Sequence, residues 1–314
     1  MSRTKWLAVV TAAYVGLSMA GGALLVDRAL RRPKRPVTGA DRARAEDLAR
    51  TLGASLETVS VAAGDGVALR GWLFTPAPAS SHSVLLLHGI TANRSAMLSS
   101  VRLFVERGYR ALAVDARAHG GSGGELSTFG ALEADDLRRW IAWLRPESRD
   151  ACVYAFGGSL GAAMAIQAGD APGLCGVVGE SAFASLREIV FDRIGQQLNT
   201  GPWVGRTLLR PGVELAFLYA RIRYGLDLSG ASAAQSAAAP GAPILLIHGI
   251  DDENAPVRHS ELIHAANPAR VSMWLVPGGT HSAARSAAPV EYPLRVMAFL
   301  AAHRSRLPSG NGPP

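Results

Sequence analysis

From Val84 onward, short apolar runs alternate with stretches of helical periodicity, and that alternation restricts the chain to an α/β class. The runs are Val84–Leu87, Ala111–Val114, Cys152–Phe156, Leu174–Val178, Ile244–Ile247 and Val271–Val276. They are continuously apolar, as strands buried on both faces are. Between them, Ser95–Arg107, Leu132–Leu144, Leu160–Ala168, Val257–Ala266 and Glu291–His303 read as helices. Right-handed crossovers then give a mostly parallel central sheet with helices on both faces and every strand C-terminus on one edge. Ahead of this core, Asp41–Gly53 reads as a short amphipathic helix, and Glu57–Ala62 and Ala68–Thr75 as a hairpin turned at Gly64-Asp65-Gly66. The interval of about 183–240 is too long for an ordinary connection. It predicts a short helical lid inserted over the edge where strands end, with a peripheral decoration as the alternative.

One strand runs into a turn that chemistry can use. Val153–Phe156 leads to Gly157-Gly158-Ser159-Leu160-Gly161 and then a helix of small residues. A strand-to-helix turn this tight strains the central residue and leaves no room for side chains beside it, which lifts the Ser159 hydroxyl clear of the sheet. The pattern alone is weak, because Gly120-Gly121-Ser122-Gly123-Gly124 matches it as well. Glu125-Leu126-Ser127, rather than a helix of small residues, follows that second match, so Ser122 reads as a turn residue.

A serine nucleophile needs a base, an acid to hold the base, and donors for the oxyanion. Partners are expected at the ends of later strands, in the order acid then histidine. Ile244–Ile247 ends in His248-Gly249-Ile250-Asp251-Asp252, and Val271–Val276 ends in Pro277-Gly278-Gly279-Thr280-His281. His281 is therefore the expected base. His259 and His264 fall in a helix, His303 lies near the terminus, His119 sits beside the second serine, and His88 and His248 read as backbone-fixing. The oxyanion donors are expected from the backbone N–H groups of Leu160 and Ile90, with both side chains incidental enough to tolerate alanine.

These segments resemble the α/β-hydrolase fold superfamily. The resemblance rests on His88-Gly89, Asp115-Ala116-Arg117-Ala118-His119-Gly120-Gly121-Ser122, the Ser159 turn, His248-Gly249-Ile250-Asp251-Asp252 and Gly279-Thr280-His281, and it covers about Leu56 to His303. It implies an α/β-hydrolase fold and a Ser159–His281–Asp252 triad. The acid is placed at Asp252 by its position four residues after His248, with Asp251 as the alternative. The Asp115–Ser122 segment is implied to be a structural turn. The stretches His88–Arg94 and Glu133–Asp136 are similar to uncharacterised bacterial hydrolases with one N-terminal membrane span. Asp135 and Asp136 read as a solvated or helix-pairing face.

Charge narrows the class of partner. Residues 1–40 hold seven Lys and Arg against Asp27, a net +6, so the remainder carries only +1 of the chain's +7. A nearly neutral body excludes a nucleic-acid interface. The basic cluster flanks Trp6–Val26, 21 residues without formal charge. A helix there would be about 31 Å long, which predicts a single-pass transmembrane anchor, with a signal peptide cleaved near Ser18–Ala20 as the alternative. Five basic residues after the stretch against two before it place the catalytic domain in the cytoplasm; cleavage would reverse this. Cys152 and Cys175 read as buried free thiols without metal-ligand spacing.

The expected organisation is thus an anchor and basic linker over 1–40, a hydrolase domain over 41–306 with its lid, and a flexible tail over 307–314. The expected chemistry is serine hydrolysis of an ester, thioester or related acyl bond through an acyl-enzyme, without metal or organic cofactor, on a small-molecule or lipid-like substrate. A serine peptidase or acyltransferase of the same fold, or a non-catalytic membrane-tethered binding protein, are the alternatives.

Overall fold

The computed structural model describes residues 2–31, 34–78, 80–145 and 151–304, and the expected tail over 307–314 lies outside them. The chain begins with α1 (Arg3–Leu30) and α2 (Gly39–Thr51), then β1 (Ala54–Ala62), β2 (Ala68–Pro76) and β3 (Ser83–Leu87). A 3-10 turn over Arg94–Met97 leads into α3 (Leu98–Val105), followed by β4 (Arg110–Val114), α4 (Glu133–Leu144), β5 (Val153–Gly158), α5 (Leu160–Gln167) and β6 (Leu174–Glu180). The insertion carries α6 (Leu186–Gln197), α7 (Trp203–Arg206), α8 (Arg210–Tyr224) and α9 (Ala233–Ala238). The chain then closes with β7 (Ile244–Gly249), α10 (Arg258–Ala266), β8 (Val271–Val276), α11 (Ala284–Ala287) and α12 (Glu291–Ala302).

The eight strands form one sheet in the order β1-β2-β4-β3-β5-β6-β7-β8. β1 and β2 pair antiparallel, as does β2 with β4, and every later pairing is parallel. Burial on both faces explains the unbroken apolar runs. In β3, Leu85 and Leu87 face a core shared with α4 and α5, while Val84 and Leu86 face a second core shared with α2, α3 and α12. The strand's period of two thus sends alternate residues into opposite layers.

Two expectations change here. Cys152 and Cys175 are not free thiols but a disulfide with Cα atoms 5.6 Å apart. One precedes β5 and the other lies in β6, which are neighbours in the sheet, so pairing of the strands brings the sulfurs together. The sequence separation of 23 residues gives no hint of that proximity.

The second change concerns the N-terminus. α1 forms over the expected stretch, yet among the described residues no helix is long and apolar enough to cross a membrane. The expected transmembrane span is not supported. The C-terminal part of α1 is instead built into the protein: Val26 and Leu30 are buried in the core, and the Leu30 carbonyl accepts the Ser127 N–H at 2.9 Å. Asp27 accepts the Tyr224 hydroxyl at 2.6 Å. α1 lies along α8, with Tyr14 donating to the Leu208 carbonyl at one end and Asp27 meeting Tyr219 and Tyr224 at the other, so the two helices run parallel.

Candidate active site

The turn between β5 and α5 holds Ser159 at φ 54°, ψ −116°, a conformation that a non-glycine residue adopts only under constraint. Close packing supplies the constraint. A Cβ on Gly157 would lie 2.4 Å from the Gly161 carbonyl carbon, and one on Gly161 would lie 2.3 Å from the Leu87 carbonyl oxygen. Gly158 meets only ordinary contacts, so Gly157 and Gly161 are the two glycines the turn requires. The Ser159 N–H donates to the Glu180 carbonyl at 2.8 Å, which pins the turn to the end of β6.

Three side chains from separate strand ends meet there. The His281 Nε2 lies 2.9 Å from the Ser159 Oγ, and its Nδ1 lies 2.8 Å from Asp252 Oδ2 and 3.0 Å from Oδ1. A carboxylate only accepts, so Nδ1 carries the proton and Nε2 is free to accept from the serine hydroxyl. Asp252 is buried whereas Asp251 is exposed, which separates the two candidate acids. Ser159 and His281 are half-buried and reachable from solvent.

Burial by itself would raise the Asp252 carboxyl. Hydrogen bonds from His248, His281, the Ala255 N–H and Ser181 outweigh it and hold the group far below the usual carboxylate range. Asp252 therefore stays ionised beneath the imidazole.

The donor positions fit the same frame. Leu160 opens α5, where first-turn N–H groups have no intrahelical acceptor. Ile90 follows His88-Gly89, and a Cβ on Gly89 would lie 3.7 Å from the Ser159 Cβ, so that loop runs beside the serine. The Leu160 side chain is not incidental: it is 1% exposed within the core, and alanine there would leave a cavity.

The other singled-out residues serve the scaffold. The Ser122 hydroxyl donates to the Asp115 carbonyl at 2.8 Å and accepts the Arg70 N–H at 2.9 Å, as a turn residue would. Asp136 is buried against Arg117 with two bonds of 2.7 Å, so it ties α4 to that turn rather than facing solvent; Asp135 pairs with Arg139 on the surface. His88 accepts the Ala116 N–H and approaches the Gly89 carbonyl, joining the ends of β3 and β4. Burial pushes it down to about 4, so it is neutral. His259 is bonded to Asp192 on α6, and His264 and His303 bond to backbone carbonyls.

Several supporting residues were not singled out for this role from the sequence. The His248 Nε2 lies 2.7 Å from the Ala255 carbonyl and 3.4 Å from Asp252 Oδ2, while its Nδ1 lies 2.6 Å from the Ser260 hydroxyl. Because a carbonyl only accepts, Nε2 carries the proton and Ser260 donates to Nδ1. Asp252 is thus flanked by two histidines. Ser181 accepts the Ser282 N–H at 3.0 Å, and Glu180 accepts the Ala284 N–H at 2.8 Å and the Tyr292 hydroxyl at 2.7 Å. These bonds set the loop that carries His281. A Glu-Ser pair closing an apolar strand on the working edge was the available signal. Among the described residues, no group of three or more His, Cys, Asp or Glu is arranged to hold a metal ion.

Residues 84–298 match the family described as "Alpha/beta hydrolase family", about two-thirds of the chain. The chain belongs to the alpha/beta hydrolase family. This hydrolase-family chain is 24% identical over 221 residues to uncharacterised protein YqkD of Bacillus subtilis, covering 69% of this chain and 70% of that one. It is 28% identical over 234 residues to uncharacterised protein YfhR of Escherichia coli, covering 72% and 74%. Among solved structures, the Pyrococcus furiosus esterase Pf2001 superposes with a TM-score of 0.66 at 24% identity, over 87% of this chain and 99% of that one. The Rhodococcus esterase RhEst1 superposes at 0.56 with 17% identity, over 78% and 99%. At these identities the structural likenesses establish the fold of this α/β-hydrolase and nothing finer.

Proposed function

We propose that this chain is a serine hydrolase cleaving a carboxylic ester, thioester or related acyl bond through an acyl-enzyme. The hydrogen-bonded line from Ser159 through His281 to ionised Asp252 carries the reading. In the first half-reaction Ser159 Oγ attacks the substrate carbonyl while His281 Nε2 takes its proton and then returns it to the leaving group. Water, deprotonated by the same nitrogen, attacks the acyl-serine and releases the acid. The N–H groups of Leu160 and Ile90 are the proposed donors to the oxyanion, and each such donor is worth on the order of 100- to 1000-fold in turnover. The esterase character of the structural neighbours agrees with an ester substrate.

Reaction of the full chain with a fluorophosphonate tests the assignment: the wild type is labelled and Ser159→Ala is not. Equal labelling of the two rejects it. A folded chain that hydrolyses short nitrophenyl esters no faster than Ser159→Ala would instead be a binding protein.

The N-terminal helix is read as the membrane contact, lying against the bilayer, and a lipid-like acyl substrate is favoured by that location. With no spanning helix among the described residues, the inward bias of flanking basic residues loses its basis. The Cys152–Cys175 disulfide favours an oxidising compartment over the cytoplasm. Alkylation of cell fractions before and after reduction reads this out: a body held in the cytoplasm gives two reactive thiols without reductant.

A further inference from the structure

We propose that α1, α7 and α8 together form a seat for a membrane surface bearing anionic lipids, so that the N-terminal helix and the helical insertion dock as one body. Among the described residues fifteen large apolar side chains are exposed, and ten of them lie on α1 or between Leu198 and Ile222. They include Trp6, Leu24, Trp203, Leu208, Leu218 and Ile222, the last 77% exposed. Soluble surfaces show such residues scattered singly; gathered in one layer, they mark an interaction face.

The two long helices of this layer meet as helices in lipid do. A Cβ on Gly22 would lie 3.1 Å from the Ala216 Cβ and 3.2 Å from the Gly212 carbonyl, and one on Gly212 would lie 3.6 Å from the Ser18 Cβ. Small residues spaced by four on both helices let the backbones close up without using large apolar side chains. On α8, the residues one turn apart at Leu218 and Ile222 point away from the buried stripe of Val213, Ala216, Phe217 and Ala220. The large apolar groups are left facing outward.

Charge selects the occupant. Residues 1–40 carry +6 and residues 198–230 carry +2, so against a chain total of +7 everything else sums to −1. Lys5, Arg28, Arg221 and Arg223 are exposed within this layer. Apolar side chains interspersed with exposed cations match the boundary between acyl chains and anionic headgroups. A second copy of the chain would bring the same positive face against itself. Arg187 ties α6 of the same insertion to Glu214 of α8, and Arg193 of α6 is bonded to Asn254 in the acid loop, so α6 links the seat to the rim that carries Asp252.

The test uses the full-length Ser159→Ala chain and phosphatidylcholine vesicles with and without phosphatidylglycerol, so that no outcome depends on hydrolysis. Flotation with the anionic vesicles is expected to be about tenfold stronger than with neutral ones. It should fall about 30-fold or more in Arg221→Glu/Arg223→Glu, since each basic residue near the surface contributes about 1 kcal/mol. It should fall similarly in Leu218→Ser/Ile222→Ser, with circular dichroism and Tm unchanged in both variants. Equal flotation of parent and variants would leave α1 as the sole contact and overturn the proposal. Absence of flotation by the parent would overturn membrane contact altogether. Dimerisation of the lipid-free chain that the same substitutions abolish would assign the face to a second copy.

Discussion

The rim around Ser159 is held by a chain of buried polar pairs, whereas the outer layer of α1 and α8 closes on small residues with hydrogen bonds only towards its two ends. At the rim, buried polar groups are paired in sequence: Ser260 to His248, His248 to Asp252, Asp252 to His281, with Glu180 and Ser181 fixing the loop behind. In the outer layer, small residues pack at the crossing and large apolar ones face out. A buried polar network tolerates no missing partner, because a group left unpaired inside the protein costs its full desolvation. An apolar layer with a free face tolerates loss of its outward side chains and loses only whatever binds there. Paired polar groups are concentrated where the proposed proton transfer takes place.

That contrast is open to breakage, first at the acid. Asp252→Asn should lower kcat on a nitrophenyl ester by about 10⁴-fold, since the amide stabilises the wrong tautomer of His281, while Asp251→Asn stays within about twofold. A comparable loss in both would dissolve the distinction between the two carboxyls. Gly161→Ala drives a Cβ to 2.3 Å from the Leu87 carbonyl and should cost about 3 kcal/mol or more in urea unfolding. Cys152→Ser should cost about 3 kcal/mol for a loop of this size, with kcat nearly unchanged because the disulfide sits at the opposite end of β5 from Ser159.

The acid limb of stability tests the rim a further way. His88 titrates at about 4 when folded and at its ordinary 6.5 when unfolded, so the unfolded chain binds the extra proton. Stability should fall by about 3 kcal/mol as pH drops from 6.5 to 4, and a His88→Gln chain should fall less steeply. The smallest effect belongs to the outer layer: Leu218→Ser/Ile222→Ser should leave unfolding within about 0.5 kcal/mol of wild type.

Much of this was legible in the residues because periodicity reports burial directly. Six of the eight strands lie on the apolar runs and the other two on the hairpin read ahead of them, and Ser159 and His281 stand at strand ends that parallel topology places on one edge. Asp251 and Asp252 could not be separated by pattern, since only the path of the loop decides which carboxyl turns inward. The disulfide and the Ser181 contact were hidden for the same reason: each joins neighbours in space whose proximity comes from the sheet. α1 shows the reverse error. Its uncharged length read as a span, but Asp27, the glycines and the partner α8 give the helix a place on the protein that composition alone does not encode.

The pairing of Tyr14 with Leu208 joins positions 194 residues apart. During synthesis at about 5–20 residues per second, the first helix leaves the ribosome some 10–40 s before its partner exists. For that interval its uncharged face has nothing of its own chain to lie against. The seam between these two helices therefore closes only after the strands and helices between them have been made.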